Sequence, residues 1–283
     1  MKEQLKHLLE KWPTLYSFVA KIYGNLHRYS TAEHIYFTAE RFVGTRARER
    51  EWTTRHCRKG NDWNNERYSG EEDEWVLSYW DSRSHNHRSF LLEKIAGFSP
   101  ISSILEIGCN CGPNLYLIAQ RFPGIEIQGI DINPAAIQKG NELFASKGIS
   151  NVKLSVAKAD KLGQFQDKSF DVVFTDAVLI YIGRDKIQRT IKEMVRVARN
   201  GLILVERHCF EPSNKDRDGL GIRYGILWQR DYVALLKQFV PKQQIRITKI
   251  TEDIWPKDPQ WQEAGAIIEA TLQIETRKAQ FPD

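Results

Sequence analysis

The sequence predicts an α/β fold, a doubly wound seven-stranded mixed sheet with an N-terminal helical cap. From residue 101 onward, short apolar runs alternate with segments of helical period, which is typical of a parallel sheet covered by helices. Residues 1–60 differ, because they combine an excess of Lys and Arg with apolar residues at helical spacing. The tryptophans divide in the same way, since none lies between Trp80 and Trp228.

These differences predict three segments. Residues 1–60 form a basic helical extension or cap, in which Pro13 separates two short amphipathic helices. Residues 61–97 begin as an acidic, turn-rich hinge and continue into a segment that covers the binding site of the sheet. Residues 98–283 form the α/β domain.

The strands are predicted from apolar runs bounded by turn residues. In chain order they are Ile101–Ile107, Ile125–Ile130, Val152–Val156, Phe170–Thr175, Leu202–Val205, Gln244–Ile250 and Ala266–Ile274. Only a loop is expected between the last two, so they are predicted to form an antiparallel hairpin at one end of the sheet.

The helices between the strands are predicted from their ends and their apolar spacing. Pro113 opens the first, and Asn133-Pro134 is an N-cap and first-turn pair for the second, which ends at Gly148. Apolar residues at helical spacing over 187–198 predict a third helix, which Asn200-Gly201 ends. A further helix is expected over 232–239.

Composition narrows the class of protein. The chain has 283 residues, 41% of them hydrophobic, and no apolar run approaches the ~18 residues that a membrane span needs. Four cysteines and an N-terminus without a signal-peptide core predict a reducing, cytoplasmic location. The net charge of +5 does not favour nucleic acid as a partner. Packing of the N-terminal helices on the sheet domain is favoured over a peripheral membrane contact.

The sharpest motif covers residues 105–114, LEIGCNCGPN, in which a predicted strand enters a glycine-containing turn and then a helix. Gly108 and Gly112 allow the backbone to approach a ligand closely, and the helix start offers N–H groups. The spacing differs from the G-x-G-x-x-G loop that holds a pyrophosphate. Glu106, just before the first glycine, suits a ligand that is cationic at that point.

This motif resembles that of the class I S-adenosylmethionine (SAM)-dependent methyltransferases, whose sheet is Rossmann-like. Their first motif is a strand ending in acid-x-Gly-x-x-x-Gly, which residues 104–114 match. Their second strand ends in an acid, here Asp131, and their fourth-strand motif is matched by residues 170–182. The resemblance covers about residues 98–275.

The resemblance implies that SAM is the cofactor. Glu106, Gly108 and Gly112 then hold its amino-acid end, Asp131 accepts from both ribose hydroxyls, and Asp176 borders the methionine part. The implied cofactor-binding residues are Glu106, Gly108, Cys109, Asn110, Gly112, Asn114, Asp131, Ile132, Ala159, Asp160, Asp176 and Arg88. Cys109 and Cys111 are interpreted as small residues in a tight loop, and no metal is expected.

One position departs from the family pattern. Members often carry an acid four residues before a leucine after the third strand, and Lys158 stands there, four residues before Leu162. Adenine is therefore expected to be met by Asp160, or by the backbone around Ala159.

Residues 79–88, YWDSRSHNHR, lead into the first strand, and in the resembling family this region often folds over the cofactor. Tyr79 or Trp80 is expected to line the substrate site, and His87 or Arg88 to meet the cofactor carboxylate. A polar surface region before a helix is the alternative.

Polar residues also follow the fifth predicted strand, at the edge where ligands bind in open α/β sheets. His208 or Glu206 is the predicted general base, with Asp176 and Tyr181 shaping the site. Tyr224 and Trp228 lie in a long loop expected to cover the substrate. The alternative is that these residues merely begin a surface loop.

The predicted function is SAM-dependent methyl transfer, with O-methylation favoured, to a small-molecule or saccharide-like acceptor. A weaker resemblance to bacterial enzymes acting on small molecules and saccharide precursors suggests the acceptor class. The alternative is a non-catalytic partner or regulator with this fold, for which Lys158 is the hint. A nucleotide-dependent oxidoreductase is disfavoured by the loop spacing. The oligomeric state is not predicted.

Overall fold

A computed structural model describes residues 49, 52–53, 74–211, 221–224 and 227–272. The helices predicted within residues 1–48, the end of the basic stretch and residues 61–73 of the acidic hinge lie outside the described residues. The N-terminal cap and the divisions at residues 60 and 97 therefore stay predictions.

A seven-stranded mixed sheet forms the centre of the described part, as predicted. Its strands run in the order β3-β2-β1-β4-β5-β9-β8. Their bounds are β1 Ser103–Ile107, β2 Glu126–Asp131, β3 Val152–Val156, β4 Phe170–Asp176, β5 Ala198–Arg207, β8 Ile245–Lys249 and β9 Gly265–Thr271; β6 Ile222–Tyr224 and β7 Leu227–Gln229 pair separately as a small hairpin.

Seven α-helices are described within this part of the chain: α1 Glu74–Asp81, α2 Asn86–Ala96, α3 Pro113–Arg121, α4 Pro134–Ser146, α5 Ile187–Val197, α6 Tyr232–Leu236 and α7 Pro259–Ala264. The predicted cap of α4 is confirmed, since the Asn133 side chain accepts from the Ala136 N–H and Pro134 follows in the first turn. Among the described helices, none combines the length and apolar character needed to cross a bilayer.

The antiparallel end of the sheet is confirmed, with one difference. β9 pairs antiparallel with both β5 and β8. The connection from β8 to β9 contains the short helix α7, where the sequence predicts only a loop. Asp258 caps this helix by accepting from the Gln260 and Trp261 N–H groups, and Pro259 opens its first turn.

The fifth strand begins earlier than its apolar run indicates. The sequence predicts that the preceding helix continues to Asn200-Gly201, yet α5 ends at Val197 and β5 begins at Ala198. Ala198 pairs with Phe170 of β4 across a register shift, so sheet pairing extends the strand into the polar residues before Leu202.

β1 lies between β2 and β4, all three parallel. The chain runs from β1 to β2 and β3 on one side and then crosses back to β4 on the other, so the strand order reverses at β1. A crevice therefore opens beyond the carboxyl ends of β1 and β4, which is where open α/β sheets bind ligands. Both strands are buried along their whole length, because hydrophobic clusters pack on both faces of the sheet.

Gly140 in α4 provides a test of this packing. A Cβ there would lie 2.4 Å from Leu154 Cδ1 and 2.7 Å from the Cys111 backbone oxygen. We expect Gly140→Ala to destabilise the protein by roughly 1–3 kcal/mol through overpacking, although alanine is the better helix former. Thermal unfolding measures this. Gly124→Ala, where a Cβ meets nothing within 4 Å, is the control, and equal stability of the two variants would contradict the packing.

Candidate active site

The loop between β1 and α3 is built on glycine. Gly108 has φ 77° and its N–H donates to the Ile130 carbonyl at the end of β2. A Cβ on Gly108 would lie 2.2 Å from a methyl carbon of Val178 in the loop after β4. Only glycine therefore allows the two loops to meet at the carboxyl edge of the sheet.

Asp131, which ends β2, is fixed by backbone groups. Its two carboxylate oxygens accept from the Asn110 N–H at 2.9 Å and from the Asn133 N–H at 2.8 Å. Burial raises the pKa of Asp131, and these backbone bonds oppose that shift. The carboxylate is thereby aimed at the cavity described below.

A buried polar network lies beside this loop. The Asn114 side-chain amide donates to Glu106 Oε1 at 2.7 Å and to Asp176 Oδ2 at 3.0 Å. Arg88 donates to Asn114 Oδ1 at 2.5 Å and lies 3.3 Å from Asp176 Oδ2, and His87 Nε2 lies 2.9 Å from the same oxygen. Burial opposes ionisation of Asp176, but His87 and Arg88 hold its pKa well below the usual range.

The network leaves two carboxylate oxygens without a partner. Glu106 Oε2 and Asp176 Oδ1 are buried and accept no hydrogen bond from any residue that the structure describes. Burial raises the pKa of Glu106 to about 8, the Asn114 amide opposes the shift, and the nearby Asp176 adds to it. Buried acceptors of this kind call for a donor, and a cationic one suits them best.

An open cavity lies at the same edge of the sheet, and the space inside it, together with the solvent at its mouth, is about 840 Å³. Its lining comes from the β1–α3 loop, the ends of β2 and β3, the loop after β4, α1 and the segment around Trp52. The lining residues are Glu49, Trp52, Tyr79, Ile107, Gly108, Asn110, Asp131, Ile132, Asn133, Ala157, Lys158, Ala159, Asp160, Ala177, Val178, Tyr181 and Ile182.

Most of the predicted cofactor residues meet here. Those on the cavity wall are Gly108, Asn110, Asp131, Ile132, Ala159 and Asp160. The buried network next to this wall contains Glu106, Asn114, Asp176 and Arg88. Glu106 and Asp176 directly precede the lining residues Ile107 and Ala177 in the sequence. Cys109 and Cys111 are buried in the loop, as their small size predicts, and the tight contact between Gly112 and Phe144 closes it from the other side.

The Glu206 side chain supports the loop after β4. Its carboxylate accepts from the backbone N–H groups of Val178, Leu179 and Ile180, at 2.9–3.2 Å. Burial raises its pKa to about 7, and these bonds oppose the shift. Glu206 binds the backbone of the loop after β4 and is not among the residues that line the cavity.

His208 is also placed away from the cavity wall. Its Nδ1 accepts from the Tyr232 N–H at 3.3 Å, and its ring packs edge-on against Phe210. Burial lowers the pKa of His208. The sequence prediction of a base at the end of the fifth strand thus lacks support from either residue's position, although both lie at the predicted edge.

Of the expected substrate residues, some line the cavity and others do not. Tyr79 lines the cavity, as does Tyr181, which was predicted to shape the site. Trp80 does not, because it is buried in the core with its ring edge-on to Tyr116 and Phe144. Trp228 is buried over the Arg230 guanidinium, 4.7 Å from it.

Two further expectations concern β6 and α2. Tyr224 lies in β6, and its side chain is outside the described part. The sequence predicts that His87 or Arg88 meets the cofactor carboxylate, and in the structure both side chains contact Asp176. His87 is held in place by stacking on Trp255, with ring centroids 4.1 Å apart.

Sequence reasoning did not identify Glu49, Trp52 or Asn133 as site residues. Asn133 carried a signal, since it caps α4 and lies two residues after Asp131. Glu49 and Trp52 carried none, because they lie far from the motifs in sequence and reach the cavity only through folding.

Comparison with known proteins identifies the family. Residues 99–260 match the family model described as a methyltransferase domain, and the chain belongs to the class I SAM-dependent methyltransferases. A structure of geranyl diphosphate methyltransferase in complex with SAM has the same fold, with a TM-score of 0.52 and 14% identity over 74% of this chain and 93% of that one.

Two curated relatives are enzymes with different acceptors. A Caenorhabditis elegans sterol 4-C-methyltransferase is 32% identical over 40% of this chain and 33% of its own length. A probable tocopherol O-methyltransferase from Oryza sativa subsp. japonica is 32% identical over 40% of this chain and 32% of its own length. The chain thus spans about a third of the length of each.

The residues present fit SAM. Its ammonium group suits the two unpaired oxygens on Glu106 and Asp176, and its ribose suits the Asp131 carboxylate on the cavity wall. The acidic side chains thus lie where a cationic cofactor needs them.

The raised pKa of Glu106 predicts that this residue lowers the stability of the folded protein increasingly as the pH rises. Because the folded-state pKa is above the usual glutamate value of 4.5, the folded protein retains a proton that the unfolded chain loses, and stability falls as pH rises from about 4.5 to about 8. Glu106→Gln removes this loss, so without ligand it should unfold several degrees higher than the wild type at pH 8, with a smaller gain at pH 5. Thermal scans at both pH values measure it. A gain that does not grow with pH would contradict the assignment.

Proposed function

We propose that this protein transfers the methyl group of SAM to an oxygen of a small-molecule acceptor. The observation that carries the proposal is the placement of three acidic side chains at the carboxyl edge of the sheet: Asp131 on the cavity wall, and Glu106 and Asp176 in the buried network next to it. When bound, SAM supplies a methyl group already activated by its sulfonium. The protein then has to bind the cofactor and the acceptor, orient them toward each other and exclude water.

The residues of the chain divide these tasks. Glu106 and Asp176 bind the ammonium, Asp131 binds the ribose hydroxyls, and Asp160 with the backbone around Ala159 borders adenine. Glu206 orients the loop after β4, so that Val178 and Tyr181 form one side of the cavity.

Aromatic rings support a small acceptor with an apolar or ring-shaped body. Trp52, Tyr79 and Tyr181 line the cavity together, and Trp52 packs edge-on against Tyr181 with centroids 4.9 Å apart. Such rings contact apolar ligands and the C–H faces of sugars. The two curated relatives are named for a sterol and tocopherol, and one of them is named as an O-methyltransferase.

The acceptor oxygen is proposed to be acidic, such as a carboxyl or a phenol. No histidine is among the described residues that line the cavity, and the amine that lines it, on Lys158, is in an ion pair with Glu49. An acceptor that ionises readily needs little help from a base. The saccharide-like acceptor predicted from sequence is a competing arm of the experiment below.

The alternative of a non-catalytic protein was based on Lys158, which stands where family members often carry an acid. Lys158 is paired with Glu49 at 2.7 Å and so has a role in the cavity wall. The predicted cytoplasmic location is retained as part of this proposal.

Cofactor binding depends on Asp131 in this proposal. Asp131→Ala is expected to weaken S-adenosylhomocysteine binding about a hundredfold, since two hydrogen bonds to a charged acceptor are lost. Isothermal titration calorimetry measures the affinity. Asp131→Asn retains one of the two backbone contacts through its amide oxygen and serves if the alanine variant unfolds. Asp167→Ala at the surface is the control. Wild-type-like affinity in both Asp131 variants would refute the ribose assignment.

The reaction itself is tested with SAM carrying a deuterated methyl group. Incubation with phenols, carboxylic acids, sterols and saccharides, followed by mass spectrometry, should show one labelled ester or ether product. A labelled N- or C-methyl product would overturn O-methylation, and a labelled saccharide would restore the acceptor class predicted from sequence. Binding without any labelled product, also from a cell extract, would support a non-catalytic role.

A further inference from the structure

Lys158 meets a carboxylate that comes from a distant part of the chain. Its Nζ lies 2.7 Å from Glu49 Oε2, and Glu49 Oε1 accepts from Lys186, which precedes α5. Lys186 Nζ also lies 3.7 Å from Asp160 Oδ1. Four charged side chains, two of each sign, thus form one cluster at the cavity. We call Glu49, Lys158, Lys186 and Asp160 the clasp.

The clasp is partly shielded from water. The side chains of Glu49, Lys186 and Asp160 are 13%, 17% and 6% exposed, and Lys158 is 42% exposed. Burial opposes ionisation of Glu49, but its bonds to Lys158 and Lys186 hold its pKa below the usual range. Glu49 is therefore a carboxylate at neutral pH, in ion pairs that are less screened than surface pairs.

The neighbouring residue Trp52 makes independent contacts on the opposite side of the cavity. Its backbone oxygen accepts from Asn133 Nδ2 at 2.7 Å, beside Asp131. Its ring packs against Tyr181 in the loop after β4. Glu49 and Trp52 therefore connect three walls of the cavity, at the ends of β2, β3 and β4.

We propose that Glu49 is a positioning residue of the cofactor site, which through the clasp fixes Glu49 and Trp52 in the cavity wall and so slows release of the adenosyl part of the ligand. This inference rests on the proposed function, in that SAM occupies the cavity. Lys158 then anchors Glu49 and does not recognise adenine. The family's acid at this position is thus replaced by an ion pair with an acid from outside residues 98–283.

The test measures the dissociation rate of S-adenosylhomocysteine from the full-length protein by stopped-flow fluorescence. Glu49→Gln should dissociate about tenfold faster, the effect of losing a partly buried ion pair. Lys158→Gln should act in the same direction. The double variant should be no faster than Glu49→Gln by more than a small factor, since both changes break one interaction.

The dependence of the dissociation rate on ionic strength distinguishes an ion pair at the site from a merely structural role. Added salt should accelerate release from the wild type, and this dependence should be reduced in Glu49→Gln, because the screened pair is gone. The control is Glu193→Gln, which breaks the ion pair with Arg196 on α5. Its release rate should match the wild type.

The outcomes separate the two proposals. Wild-type rates and salt dependence in both Glu49→Gln and Lys158→Gln overturn the clasp while leaving cofactor binding intact. Failure of the wild type to bind S-adenosylhomocysteine overturns the proposed function, and the clasp with it. Thermal scans show that the compared variants are folded, and Lys158→Gln serves if Glu49→Gln is not.

Discussion

Two carboxylates buried side by side, Glu106 and Asp176, determine how the rest of this site is built. They end the neighbouring strands β1 and β4, and the Asn114 amide bridges them. Burying an ionised carboxylate such as that of Asp176 is costly unless it is paired, and Arg88 and His87 of α2 are its partners. The segment before the first strand is therefore held against the sheet edge by electrostatics as well as by packing.

This arrangement leaves one oxygen on each carboxylate unpaired, which costs stability in the free protein. In the proposed function, the same two oxygens accept from the cationic group of the ligand. Stability and binding thus compete at these residues, as is common where strain or unpaired polarity is retained at a functional site.

The loop after β4 depends on a different buried acid. Glu206 binds three consecutive backbone N–H groups, and this brings Val178 against Gly108. An acid at the end of the fifth strand can therefore define the cavity wall without touching the ligand. Position at the ligand-binding edge of a sheet is necessary for a catalytic role, but it does not distinguish a base from a support.

Local patterns in the sequence determined the strand and helix alternation, the loop over residues 105–114 and the acid Asp131, because each depends on neighbours within one turn or one strand. Only the tertiary structure decided the partners of Asp176, the role of Glu206 and the pairing of Glu49 with Lys158. His87 and Asp176 are 89 positions apart, and Glu49 and Lys158 are 109 apart. Contacts at such separations depend on how the elements pack, and no periodicity in the sequence records them.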